Sequence, residues 1–292
     1  MQKNKLMIAG MAVILLAFLL TTCGNSRETA NSDGAETAAP VFGSQRRDSN
    51  EPAAAQVRAG DFGYIRNESR DGIIITYRTG NATNVVVPDT IESIPVVGIQ
   101  AGLFYSDTDV QSVTLPVTVT AIPNDAFRGC TSLVSVNLQG VTNVGLNAFR
   151  GCNNLTNVSL PKAAIIGNGA FFGCTSLTAI TLPEAATIGN EAFRYSSNLQ
   201  TVTIPGVMTI GNDAFRDCTN LVKVEVSERL TTAGSSAFRD CINLSDFNVP
   251  LNLTQFTRSG GVDNTFFRCH KLPLAARDRL IAQGYSGAGL LQ

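Results

Sequence analysis

The pair Ala-Phe returns along this chain at an almost constant interval. It opens AFRGCTSLVSVNL at Ala126, AFRGCNNLTNVSLP at Ala148, AFFGCTSLTAITLP at Ala170, AFRYSSNLQTVTIP at Ala192, AFRDCTNLVKVEV at Ala214 and AFRDCINLSDFNVP at Ala237. Phe127, Phe149, Phe171, Phe193 and Phe215 are 22 residues apart. Phe238 follows after 23 and Phe266 after 28, while Phe104 lies 23 before Phe127, so eight of the fifteen phenylalanines occupy one column. One large apolar residue in register at a fixed period is what stacked coils produce, because each coil sets the same position beside its neighbour. The fold class that follows is a repeat solenoid.

Within a unit, apolar residues stand six, nine and eleven places after the phenylalanine, as Leu133, Val136 and Leu138 in one coil and Leu177, Ile180 and Leu182 in another. The last two alternate with polar residues and read as a short strand. Proline closes that strand at Pro116, Pro161, Pro183, Pro205 and Pro250, where a missing donor does little harm. A second extended piece follows, such as Ala185-Ala186-Thr187-Ile188-Gly189, and then a tight turn into the next Ala-Phe. Eight such coils at a strand spacing of about 4.8 Å make a body roughly 35–40 Å long.

The pattern AFxGCxxLxxVxLP followed by xxxxIGxxAF resembles the leucine-rich repeat of the BspA-like group, also called the Treponema pallidum type, over residues 62–292. Phe62 to Phe104, with GIIITYRTGNATNVVVPDTIESIPVVGIQ, is similar to the opening cap and first rung of that family. The resemblance implies a right-handed leucine-rich-repeat coil of short parallel β-strands joined by turns or 3-10 segments. Departures are Tyr195-Ser196 in place of Gly-Cys, the irregular stretch from Ser227 to Ser236, and a longer excursion from Asn252 to Asn264. The tail from Pro273 to Gln283, closed by Gly284, reads as a C-terminal capping helix with proline at its start and glycine after its end.

The N-terminus carries an address. Lys3 and Lys5 precede an apolar run from Leu6 to Leu20, and no charge appears before Arg27. Fifteen apolar residues suit a signal-peptide core better than a membrane span, which needs about 20. Leu20-Thr21-Thr22-Cys23-Gly24 resembles the lipobox of bacterial lipoproteins, with Thr22 where the family carries Gly, Ala or Ser. That resemblance makes Cys23 the modified first residue, bearing a thioether-linked diacylglyceryl group and an N-acyl chain. Gly24, in place of an aspartate retention signal, points to an outer-membrane, surface-exposed position in a bacterial envelope. An ordinary secreted protein and an uncleaved anchor are the alternatives. Residues 23–60 hold few large apolar side chains and scattered charges, a composition that cannot fold alone and reads as a disordered tether. The expected organisation is thus a signal peptide over 1–22, a lipidated tether over 23–60, an N-terminal cap and first rung over 61–103, repeats over 104–272 and a C-terminal cap over 273–292.

Composition removes several classes of function. Lys+Arg 22 against Asp+Glu 23 leaves a net charge of −1, which argues against nucleic acid as a partner. A single histidine, absence of CxxC pairs and absence of a nucleophile–base arrangement argue against a metal site, a cofactor and an enzyme. Gly284-Tyr285-Ser286-Gly287-Ala288 misses the G-x-S-x-G elbow at its last position. A site within the Asn252–Asn264 excursion is the one enzymatic alternative.

Cys130, Cys152, Cys174, Cys218, Cys241 and Cys269 all lie three places after the column phenylalanine, a series broken by Asp107 and Ser196. Neighbouring coils bring such cysteines within disulfide range, but side chains pointing the same way fit disulfide dihedrals poorly. Free buried thiols are expected.

Two faces are candidates for protein binding. The strand face offers Ser135, Asn137, Asn157, Ser159, Thr181, Thr201, Thr203, Lys223 and Glu225, flanked by Ser112, Thr114, Ala179, Asp246 and Asn248. It is polar, without an aromatic side chain, and is the face that leucine-rich-repeat proteins generally use. The turn face offers Tyr105, Arg128, Arg150, Phe172, Arg194, Tyr195, Arg216 and Arg239, with Phe267 beyond. Arginine interleaved with aromatic residues favours an interface, yet Asp125, Glu191, Asp213, Asp217 and Asp240 lie close enough in sequence to pair with those arginines. The family resemblance implies a lipid-anchored surface protein binding host matrix, host cells or other bacteria. A structural envelope scaffold without a host ligand is the rival.

Overall fold

The computed structural model describes residues 57–59, 61–257 and 264–287. The apolar run 6–20, Cys23, nearly all of the 23–60 stretch, and 258–263 of the Asn252–Asn264 excursion lie outside the described residues. The architecture is a β-solenoid of about eight turns. A typical coil contributes a three-residue strand and, past a turn, a two-residue strand; the second strands pair in parallel from coil to coil, and so do the first strands except between Asn157–Ser159 and Ala179–Thr181.

The second strands form one seven-stranded parallel sheet from Ala121–Ile122 to Gln255–Phe256. The first strands divide into two four-stranded sheets. One joins Asn84–Val86, Ser112–Thr114, Ser135–Asn137 and Asn157–Ser159, and the other joins Ala179–Thr181, Thr201–Thr203, Lys223–Glu225 and Asp246–Phe247. A period of 22 residues puts identical positions opposite one another, as in Val136 against Val158 and Ile180 against Val202.

The turn that follows each second strand explains the Ala-Phe signature. The residue before alanine is left-handed in every repeat: Asp125 (φ 55), Asn147 (φ 52), Gly169 (φ 60), Glu191 (φ 55), Asp213 (φ 53) and Ser236 (φ 57). The residue two after phenylalanine is left-handed as well, at Gly129 (φ 76), Gly151 (φ 73) and Gly173 (φ 70). These two corners interrupt the run of i→i+3 bonds, such as Cys130 N–H to the Phe127 carbonyl at 3.1 Å and Leu133 N–H to the Cys130 carbonyl at 3.2 Å. The segment is therefore a succession of turns, and among the described residues none of it is a 3-10 helix.

Between the corners the phenylalanine dives inward. Phe104, Phe127, Phe149, Phe171, Phe193, Phe215, Phe238 and Phe266 stack ring on ring, with centroids 4.9–5.3 Å apart and planes within 10°. All are essentially fully buried. Each stacked pair adds about 0.5–1.5 kcal/mol to the burial term. The alanine beside each ring, Ala148 or Ala170 for example, is also fully buried, which leaves no room for a larger side chain there.

Two polar ladders run alongside. Each column thiol donates to the phenylalanine carbonyl of the preceding coil, Cys130 to Phe104 at 2.9 Å, Cys152 to Phe127 at 3.0 Å and Cys269 to Phe238 at 3.0 Å. The six described cysteines are free and buried, as the side-chain direction predicts. On the outside, an asparagine carbonyl in one coil accepts the amide N–H of the same position in the next: Asn124 from Leu146, Asn168 from Asn190, Asn190 from Asn212 and Asn212 from Ser235, each at 2.8 Å. Glycine precedes this position because the coils touch. A Cβ on Gly167 would lie 2.7 Å from the Gly145 carbonyl carbon.

Both ends of the stack are closed. At the N-terminal end, Val57–Ala59, Phe62–Arg66, Ile73–Arg78, Ile94–Ile99 and Thr90–Ile91 form a sheet in that order. Arg78, over the Phe104 ring at 5.7 Å, pairs with Asp107, the residue that replaces cysteine in the first coil. At the other end the helix Leu274–Ala282 starts after Pro273 and stops before Gly284 (φ 94). Tyr285 then turns back to meet the Phe266 and Phe256 rings edge-on, both at 5.7 Å.

Candidate functional site

The strand face is built by the first strand of each coil. Pleating sends Val136 or Ile180 inward and the residues on either side outward. Parallel register then aligns the outward residues in two rows: Ser112 beside Ser135 and Asn157, with Thr114 beside Asn137 and Ser159. Beyond the sheet division the rows continue as Ala179, Thr201 and Lys223, and as Thr181, Thr203 and Glu225. The side chain of Asn157 lies outside the described residues.

An open groove of about 630 Å³ crosses the coils on this face, lined among others by Ser135, Asn137, Gln139, Thr156, Ser159 and Thr178. It runs over the strands at 112–114, 135–137 and 157–159 and reaches Ala179, across the place where the first-strand ladder is interrupted between Asn157–Ser159 and Ala179–Thr181. Val158 is half-buried, whereas Val136 and Ile180 are fully so. The groove is a feature that periodicity conceals, since every coil carries the same strand signature. Its lining offers hydroxyl and amide groups, some already engaged, such as Gln139 Nε2 to Ser159 Oγ at 3.0 Å.

Further along, the strand face closes on itself. Lys223 Nζ meets Glu225 Oε1 at 2.5 Å and Asp246 Oδ2 at 3.8 Å, and Thr203 Oγ1 donates to Glu225 at 2.9 Å. The bond to Glu225 raises the Lys223 ammonium above its ordinary pKa and holds the Glu225 carboxyl below its own. These charges satisfy one another and leave little to attract a partner.

The turn face is positioned by the Ala-Phe corner. Arg128 pairs with Asp125 at 3.2 Å, Arg194 with Glu191 at 2.9 Å, Arg216 with Asp213 at 3.1 Å and Asp217 at 3.3 Å, and Arg239 with Asp240 at 3.2 Å. All five acids near these arginines in sequence are used. The guanidinium groups also lie over aromatic rings: Arg128 over Tyr105 at 5.7 Å, Arg194 over Tyr195 at 4.7 Å and Arg239 over Phe267 at 5.0 Å. The structure therefore brings predicted arginines and aromatic residues together, across adjacent coils for Arg128 with Tyr105 and Arg239 with Phe267 and within one coil for Arg194 with Tyr195, and most of that charge is internally neutralised. Arg150 differs, lying over Phe172 at 3.8 Å with Asn147 at the acid position.

Nucleophilic chemistry has no footing in the thiol column. Burial raises the thiols of Cys174, Cys218, Cys241 and Cys269 above the ordinary range, so they stay protonated at neutral pH. His270, beside Cys269 in sequence, is exposed while that thiol is buried. Among the described residues no cluster of three or more His, Cys, Asp or Glu side chains is placed to hold a metal.

Three overlapping stretches of the chain, residues 76–163, 97–206 and 142–273, match a family model described as the BspA type leucine rich repeat region, in six copies. Among solved structures, the T. pallidum leucine rich repeat protein TpLRR matches with a TM-score of 0.62 at 29% identity, over 80% of this chain and 98% of that one. A leucine rich cell surface protein from Faecalibacterium prausnitzii matches with 0.53 at 20% identity, over 81% of this chain and 99% of that one. A leucine-rich repeat protein from Eubacterium ventriosum gives 0.50 at 20% identity, over 63% and 58%. The last two show the fold alone. No curated protein matches the sequence significantly.

Proposed function

The chain belongs to the BspA-type leucine-rich repeat family, and on that premise we propose that it is a lipid-anchored surface protein of a bacterial envelope. Its solenoid recognises other proteins through the first-strand face, in adhesion to host matrix or cells or in co-aggregation with other bacteria. Leucine-rich repeat folds generally serve as binding scaffolds, and the match indicates no catalytic family. The relative from F. prausnitzii is named a cell surface protein, the location proposed here. Cys23 carries the lipid, which supplies the several acyl chains that stable anchoring requires.

The observation that carries the reading is the groove across residues 112–179. Short Ser, Thr and Asn side chains make up most of its polar lining, so a partner meets hydrogen-bonding groups that lose less side-chain entropy on contact than long polar side chains would. Individual contacts of this kind are modest, and many copies on one cell convert them into avidity.

The test has two parts. Cys23→Ala is expected to release the protein from the membrane fraction, and retention there would overturn the anchor. Protease treatment of intact cells is expected to remove the solenoid, and the full chain is expected to bind immobilised matrix proteins or whole cells saturably. The triple change Asn137→Ala, Ser159→Ala and Thr181→Ala should then weaken that binding. Protection from protease together with absence of binding would transfer the assignment to an envelope scaffold.

A further inference from the structure

Arg150 is the arginine of the turn face that its own repeat leaves uncompensated. Three places before Arg128, Arg194 and Arg216 stands an acid, Asp125, Glu191 or Asp213, each in an ion pair. Three places before Arg150 stands Asn147. Among the described residues no carboxylate lies within ion-pair distance of the Arg150 guanidinium, which instead lies over the Phe172 ring, 3.8 Å from its centroid. Such stacking occupies one face of the planar group and leaves its N–H edge able to donate to a carboxylate. The flanking pairs Arg128–Asp125 and Arg194–Glu191 are neutral, so Arg150 sets the charge of this part of the face.

The neighbouring aromatic residues are also departures from the repeat. Phe172 stands where the adjacent coils carry Arg150 and Arg194, and its ring meets Tyr195 edge-on at 5.3 Å. Tyr195 is left-handed, at φ 62, in the corner that Gly129, Gly151 and Gly173 occupy in the three preceding coils. Ser106, Asp217, Asp240 and Arg268 are left-handed at the same corner, so what sets Tyr195 apart is the ring it carries there and not its backbone. The tyrosine does not fill the core, since 42% of it is exposed. Its hydroxyl accepts from Arg194 Nη2 at 3.0 Å, which fixes the ring's outward position.

We propose that Arg150, Phe172 and Tyr195 form a docking site on the turn face for an acidic segment of a protein partner, a carboxylate meeting the Arg150 edge and the adjoining aliphatic stem lying against the two rings. The inference rests on the protein-recognition reading above and adds to it a second contact surface with a defined partner chemistry.

The experiment titrates the full chain against two fluorescein-labelled peptides, one of alternating Glu and Ala and one of alternating Gln and Ala. Saturable, salt-sensitive binding of the Glu peptide alone is expected. Arg150→Gln should weaken it roughly ten-fold, a typical loss for a charge-assisted contact. Tyr195→Gly should weaken it while raising the thermal midpoint, because glycine relaxes the left-handed corner. A more stable variant that binds less well cannot owe its defect to misfolding. Lys162→Gln removes an exposed cation elsewhere and should change nothing. Equal binding of both peptides, indifference to Arg150→Gln, or preference for a heparin oligosaccharide over the Glu peptide would each overturn the site. Failure here, with cell binding still lost on the strand-face triple change, would leave the protein-recognition reading standing.

Discussion

Ser196 Oγ donates to the Phe171 carbonyl at 3.0 Å, the same bond that Cys174 Sγ makes to Phe149 at 3.2 Å and Cys218 Sγ makes to Phe193 at 3.1 Å. The carbonyl concerned already accepts one bond inside its own coil, as Phe149 does from the Cys152 amide at 3.1 Å. The column side chain meets the second lone pair and ties one coil to the next. Exchange of sulfur for oxygen in one coil shows that a hydroxyl makes the same link, so the link itself does not depend on sulfur.

Cys174→Ser is therefore expected to preserve the link and change stability little. Cys174→Ala removes it and should cost about 1 kcal/mol. Urea denaturation of the two variants makes the comparison. An equal loss for both would reject the donor role.

The raised thiols make a pH prediction. In the unfolded chain a cysteine ionises near pH 8.5, whereas burial keeps Cys174, Cys218, Cys241 and Cys269 protonated in the fold. Above about pH 8.5 the unfolded state thus binds fewer protons than the folded state, so stability falls as pH rises and is unaffected by these groups below it. Cys174→Ser should flatten that alkaline decline by up to about 1.4 kcal/mol per pH unit. Equilibrium unfolding between pH 8 and 10.5 reads the slope.

Phe171 lies between Phe149 at 5.1 Å and Phe193 at 5.2 Å. Phe171→Ala should cost about 3–5 kcal/mol, because backbone ladders on both sides hold the cavity open. Coils contact only their neighbours, so the loss interrupts coupling between the two halves. Denaturant unfolding is expected to broaden or split in two, and a single transition of unchanged midpoint would contradict the stack's role.

Leu146 interrupts the asparagine ladder. It donates to Asn124 Oδ1 at 2.8 Å but has no acceptor to offer the Asn168 amide, and its side chain is 43% exposed. Leu146→Asn should complete the ladder and stabilise the solenoid by about 0.5–1.5 kcal/mol. A lower thermal midpoint in that variant would show that the leucine's packing matters more than the missing bond.

Much of the fold was legible because a solenoid repeats its requirements. The 22-residue spacing, the buried Ala-Phe pair, the strand alternation and the proline and glycine around the last helix each report a local need that recurs, or closes, at a fixed place. The pairing of Arg128 with Asp125 and of Arg216 with Asp213 was readable for the same reason, since partners three residues apart share one turn.

Other features required three dimensions. Nothing in the repeat pattern distinguishes the strand at Asn157 from the strand at Ala179, yet between them the first-strand ladder is interrupted and the groove crosses the break. Tyr195 reads in sequence as a replacement for glycine, and only the backbone reveals that its ring stands at a left-handed corner, edge-on to Phe172. The asparagine column could have been noticed from its period, but its meaning lies in an amide one coil away. By itself, the sequence determined the coil, its period and its buried columns, because those depend on contacts that every repeat makes identically. The tertiary structure alone decided which charges remain unpaired and where the surface opens, because both depend on what the neighbouring coil happens to place alongside.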